Sequence, residues 1–151
     1  MKNEKKKSLG KKFGNNLINQ LYKIDDVISV TIVGSFTKTY DLNKIGDLDV
    51  VVVCKKITKK ILRTSKKKIR KLYFKYPNIN KKLKINDTFG PVKYDAIKNL
   101  IVHLMIYDVK GHIDHVIKSP FTCLDWQRSN WYKGKKLKKI FPIQNIYLRD
   151  F

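Results

Sequence analysis

Two carboxylates stand one residue apart, Asp47-Leu48-Asp49, at the head of the apolar run Val50-Val51-Val52-Val53. In a strand, residues i and i+2 project from the same face. Carboxylates placed so close repel each other unless a cation lies between them. Hard oxygen donors of this kind suit Mg²⁺ or Mn²⁺, above all where triphosphate oxygens complete the shell. Ser35 lies twelve residues before Asp47, and Gly34-Ser35 closes a β-branched run from Val27 to Val33. A Gly-Ser turn brings backbone N–H groups and a hydroxyl close to a phosphate.

The whole pattern is an apolar strand Thr31-Ile32-Val33, then Gly34-Ser35, a spacer from Phe36 to Gly46, and Asp47-Leu48-Asp49-Val50-Val51-Val52. It resembles the signature of the nucleotidyltransferase superfamily, which includes DNA polymerase β, poly(A) polymerases, CCA-adding enzymes and antibiotic nucleotidyltransferases. The resemblance implies that Asp47 and Asp49 hold Mg²⁺ (or Mn²⁺). It implies that Gly34 and Ser35 position the triphosphate of an NTP, with Lys38 the candidate for neutralising the departing pyrophosphate. A nucleotide would then pass to an acceptor hydroxyl by in-line displacement.

The same resemblance implies a third acid in the next long strand. The matching segment is Leu100-Ile101-Val102-His103-Leu104-Met105-Ile106-Tyr107-Asp108, whose mid-strand polar residue is His103. Three readings stay open. His103 takes the third position, as a metal ligand or a general base. Alternatively Asp108 supplies the acid, although residues 103 and 108 face opposite ways in a regular strand. Or the acid is missing and the chain is a weak or inactive transferase that binds nucleic acid.

Charge narrows the acceptor. Lys and Arg number 34 against 12 Asp and Glu, a net +22. From Val50 to Asn86 there are fourteen basic residues and no acidic one. Such a field attracts polyanions, so RNA, including a tRNA end, is the expected partner, held in a salt-dependent way. A cationic antibiotic matches it poorly. Composition bias from an AT-rich genome would also produce a lysine-rich surface.

The elements that must carry these residues follow from periodicity. Phe13, Leu17, Ile18, Leu21 and Tyr22 predict a helix over 11–24, preceded by a basic flexible arm over 1–12. Strands are expected over 27–33, 48–53 and 100–107, with a short one at 83–85. Thr58 caps a helix over 59–76 that Pro77 stops, and its Lys60, Arg63, Lys67 and Lys71 form the candidate nucleic-acid surface. Residues 86–93 read as a loop and 109–111 as a turn. Ser119-Pro120 opens a helix that buries Phe121 and Trp126. His112 and His115, three apart, would share a helical face and could bind zinc; a polar surface turn is the plainer expectation.

The 151 residues with 42% hydrophobic content suit one globular domain, over 13–151. The expected fold is a small α/β (α+β) domain, a mixed β-sheet with helices mainly on one face, nucleotidyltransferase-like. No apolar run reaches the length of a membrane span, and no signal-peptide core follows the basic N-terminus. Cys54 and Cys123 are expected to be small buried residues, in a reducing, cytoplasmic compartment. A chain this short leaves little room for a substrate-gripping domain, so a partner subunit or homo-oligomer is expected.

Overall fold

The computed structural model describes residues 2–88 and 94–145. The last residues of the expected domain and residues 89–93 of the expected loop lie outside that set. The elements run α1 (Lys2–Tyr22), β1 (Val27–Val33), α2 (Phe36–Thr39), β2 (Asp47–Cys54), α3 (Lys59–Tyr73), β3 (Lys82–Asn86), β4 (Asn99–Asp108), α4 (Val109–Lys118), α5 (Pro120–Arg128), β5 (Tyr132–Gly134) and α6 (Leu137–Ile140). The strands form one mixed sheet in the order β3-β4-β2-β1-β5. β2 and β3 run parallel to β4, while β1 runs antiparallel to β2 and β5. The α/β class is as expected.

Strand periodicity splits the core between two faces. Val50, Val52, Val102 and Leu104 point to the face covered by α1 and α3, where Phe13, Leu17, Leu21, Ile61 and Ile69 complete the larger core. Val51, Val53, Met105 and Tyr107 point the other way, against Val116, Cys123, Trp126 and Leu137 of α4, α5 and α6. Strands β2 and β4 thus alternate between two dry layers, which is why β2 reads as a continuous apolar run. The larger layer is the expected one; the second, smaller helical layer covers part of the opposite face.

Several local expectations are corrected. Residues 2–12 are helical and continue into α1, because lysine is a good helix former and Leu9 packs against the core. Residues 109–111 open α4: Asp108 caps it, its Oδ1 accepting from the Gly111 N–H at 2.6 Å. Trp126 is buried as expected, but Phe121 is 86% exposed, since α5 turns that position to solvent. Thr58 does cap α3, its hydroxyl accepting from the Ile61 N–H at 3.2 Å. Both cysteines are free and buried. Among the described residues, no helix is long and apolar enough to cross a membrane.

Candidate metal centre

The pairing of β2 with β4 assembles the centre. In that parallel register Asp47 lies opposite Ile101 and Asp49 opposite His103. Asp47, Asp49 and His103 share the face of Val51 and Met105, beyond the part that the second helical layer covers. One donor atom from each lies within 4.8 Å of the others, and no other such group of three occurs among the described residues. All three are half-buried.

The His103 ring is held at both nitrogens. His103 Nδ1 lies 3.2 Å from Asp49 Oδ1, and its Nε2 lies 3.0 Å from the Thr88 carbonyl oxygen. A carbonyl only accepts, so Nε2 carries a proton and Nδ1 is the nitrogen aimed at the carboxylates. Asn86 fixes that carbonyl's segment: its Oδ1 accepts from the Thr88 N–H at 3.0 Å and from the Thr88 hydroxyl at 2.7 Å. Asn86 is itself the register partner of His103 on β3. An imidazole whose far nitrogen is bound to a backbone carbonyl is the usual support for a metal-ligating histidine. No local signal marks Asn86 or Thr88 in the sequence, because their role depends on a long-range pairing.

Gly34 closes the other side. Its φ is +80°, in the left-handed region that glycine tolerates. A Cβ there would lie 2.6 Å from Asp49 Oδ2. The residue is therefore glycine for two reasons, the backbone turn and the approach to the carboxylate. Ser35 follows with its side chain exposed and making no capping bond, and Thr37 anchors the turn by donating from its hydroxyl to the Gly34 carbonyl at 2.7 Å. Lys38 is exposed one turn further on. The spacer is pinned by buried Leu42 and Ile45, and by Lys81, whose Nζ donates to the Leu42 and Ala96 carbonyls at 3.0 and 2.7 Å.

Electrostatics agrees with a cation-seeking group. Burial raises the Asp47 carboxyl above its ordinary range, and the Asp49 charge adds to the rise. The hydrogen bond that the imidazole can donate to Asp49 raises His103, against an opposing effect of burial. Two oxygen donors and one imidazole nitrogen, with one carboxyl destabilised by its neighbour, form a donor set that fits a divalent ion.

The remaining expected residues lie elsewhere. Asp108 is the α4 cap and the register partner of Cys54, at the far end of β2, so it is not the third ligand. His112 and His115 share α4, but His112 is buried with neither ring nitrogen hydrogen-bonded, and the pair belongs to no metal-sized group among the described residues. Lys60, Arg63, Lys67 and Lys71 are exposed on α3, which covers the opposite face of the sheet from the centre.

Fold and site together define an α/β domain with a candidate divalent-metal group at an uncovered corner of its sheet. Comparisons with family models, with curated proteins and with solved structures return no match.

Proposed function

We propose that the protein is a metal-dependent nucleotidyltransferase that moves a nucleoside monophosphate from an NTP to a hydroxyl of RNA. The observation that carries this reading is the convergence of Asp47, Asp49 and His103 within 4.8 Å, beside the Gly34-Ser35 turn. Asp47, Asp49 and His103 Nδ1 would hold the ion, with Nε2–H anchored on Thr88. The imidazole makes Mn²⁺ a closer match than Mg²⁺ for at least one site. When bound, the ion neutralises triphosphate charge and makes an acceptor hydroxyl easier to deprotonate.

The chain's own groups supply the rest. Gly34 leaves room beside Asp49, and the exposed Ser35 hydroxyl and Lys38 ammonium would meet phosphate oxygens. The acceptor oxygen bonds to the α-phosphorus, the bond to the β-bridging oxygen breaks, and pyrophosphate leaves. The hydroxyl proton passes to a carboxylate oxygen that the ion leaves free, and from there to water. Positioning and charge, rather than covalent catalysis, do most of the work.

A second reading draws on the His103–Asp49 contact. A protonated imidazole there balances the carboxylate without a metal, as in a fold that binds nucleic acid but has lost the chemistry.

The test is incubation with each α-³²P-labelled NTP, Mg²⁺ or Mn²⁺, and total RNA, with the Asp49→Asn variant alongside. Label in RNA that vanishes with the variant is the expected result. Label carried equally by both proteins overturns the site. No label, with RNA binding undiminished by EDTA, favours the second reading.

A further inference from the structure

A groove of about 510 Å³ runs between α3 and the edge strand β3, lined by Lys66, Arg70, Phe74, Lys82, Lys84 and Tyr94 beside apolar Leu83 and Ile85. Among the described residues, no carboxylate lines it. Phe74 is 78% exposed and Tyr94 39%, which is unusual for rings above an apolar floor. Lys84 Nζ lies 5.8 Å from the Tyr94 ring centroid, and Phe74 meets Tyr73 edge-on at 5.5 Å. Lys66 is paired with Asp87, which leaves Arg70, Lys82 and Lys84 as the cations that face the groove without a carboxylate partner among the described residues.

A ring of cations rejects basic peptides and selects a polyanion. Exposed aromatic faces add a second demand, for flat apolar surfaces that can stack. A double helix hides its base faces, whereas an unpaired strand offers them together with its phosphates.

The groove opens beside α3, on the other face of the sheet from the metal centre, and edge strand β3 lies between the two. Leu83 and Ile85 face α3, so Lys82, Lys84 and Asn86 take the opposite face of β3. Asn86 lies opposite His103, and Lys84 lies opposite Ile101, which in turn lies opposite Asp47. With strands ~4.8 Å apart, Lys84 sits about 10 Å across the sheet from Asp47. A strand leaving the groove over Lys84 arrives at the carboxylates.

We propose that the α3–β3 groove holds an unpaired stretch of the RNA acceptor, with bases stacked on Phe74 and on Tyr94 and phosphates on Arg70, Lys82 and Lys84. The inference rests on the transferase reading for its RNA and for its direction toward Asp47. The basic flank of α3 that carries Lys67 and Lys71 is then a general electrostatic surface, not the track.

Binding of a fluorescent single-stranded oligoribonucleotide to the full chain, in EDTA and over a salt series, tests the groove apart from the metal. Phe74→Ala removes an exposed ring and leaves the core intact. It should weaken binding about 10-fold, the size of one base–aromatic stack. Arg70→Gln and Lys84→Gln should each lower the salt slope by about one. A Lys67→Gln/Lys71→Gln control should keep the preference for single strands over duplex. Duplex RNA binding as tightly as the single strand, or Phe74→Ala binding like wild type, overturns the groove. Equal affinity for the matching oligodeoxyribonucleotide overturns its assignment to RNA. If groove binding passes these tests while no Asp49-dependent transfer occurs, the transferase reading fails alone. If transfer occurs and Phe74→Ala leaves the KM for RNA unchanged, the groove fails alone.

Discussion

Strands β2 and β4 carry two clusters of titratable side chains on one face, one at each end. At the first end Asp47, Asp49 and His103 stand half-buried with donor atoms within 4.8 Å of one another, and His103 contacts Asp49. At the other, α4 and α5 close over Tyr107, His112, His115 and Cys123. The second cluster holds pairings that look reactive: Cys123 Sγ lies 3.7 Å from His115 Nδ1, and His115 stacks on Tyr107. Yet burial pushes the Cys123 thiol up to about 11 and Tyr107 up to about 12, and it lowers His115. A neutral thiol beside a neutral imidazole is not an activated nucleophile. Burial with the nearby His115 also drives His112 down to about 4, while contact with Asp49 lifts His103. Residue type alone therefore does not mark a site. Opposite charge within reach separates the two ends.

The largest test of that contrast is at the open end. Asp49→Asn should cut nucleotide transfer by about 1,000-fold or more, the loss typical of deleting a principal electrostatic group. It should also abolish the bound-Mn²⁺ signal in electron paramagnetic resonance. Cys123→Ala and His115→Ala should leave that signal unchanged, and an equal loss in them would erase the distinction between the ends.

Next in size is the acid response of the closed end. His112 has a folded-state pKa of about 4 against 6.5 unfolded, so the unfolded chain binds the proton more readily. Stability is therefore full above 6.5 and falls as pH drops toward 4, by roughly 3 kcal/mol once both states are protonated. Urea unfolding at pH 7 and pH 4.5 should show this fall, and His112→Leu should remove most of it. An unchanged pH slope in that variant would mean that other groups drive the acid loss.

Gly34→Ala comes third. Its Cβ would press on Asp49 Oδ2, and its backbone would be forced into the left-handed region, costing about 1–2 kcal/mol. Mn²⁺ affinity should drop with stability, whereas Gly46→Ala, with open space around its Cβ, should alter neither. Titrating Mn²⁺ against both variants checks this pair.

The smallest effect has the opposite sign to that of His112. The metal-free protein gains from a protonated His103 facing Asp49, so that contribution is present below 6.5 and fades as pH rises through the raised value. Solvent contact keeps it under ~1 kcal/mol. Imidazole resonances of the metal-free protein should show His103 titrating above 6.5 and the other two histidines below it, His112 the lower at about 4. Assignment of the upper transition to His112 would reverse the comparison.

Legibility followed the range of the interactions. Strand β2, the shared face of Asp47 and Asp49, and the cap Thr58 rest on neighbours a few residues apart, and side-chain period and capping chemistry display them directly. The helical state of residues 2–12 was hidden because a lysine run reads equally as a solvated arm. The role of Asp108 was hidden because a carboxylate after an apolar strand serves equally as a ligand or as the cap of the next helix. Phe121 was misread inward because no period distinguishes the faces of so short a helix as α5.

What the sequence by itself determined is the local chemistry: two carboxylates on one strand face, a glycine-serine turn ahead of them, and a cationic chain around them. Only the tertiary structure decided that His103, and not Asp108, joins the carboxylates. His103 lies 54 residues from Asp49 in the chain and meets it through the parallel β2–β4 register. The same long-range pairing brought Asn86 and Thr88 behind His103, Lys81 beneath the spacer, and α3 alongside β3 to form the groove. Side-chain period is written into every few residues, whereas register between distant strands depends on how the apolar faces of the whole sheet bury at once.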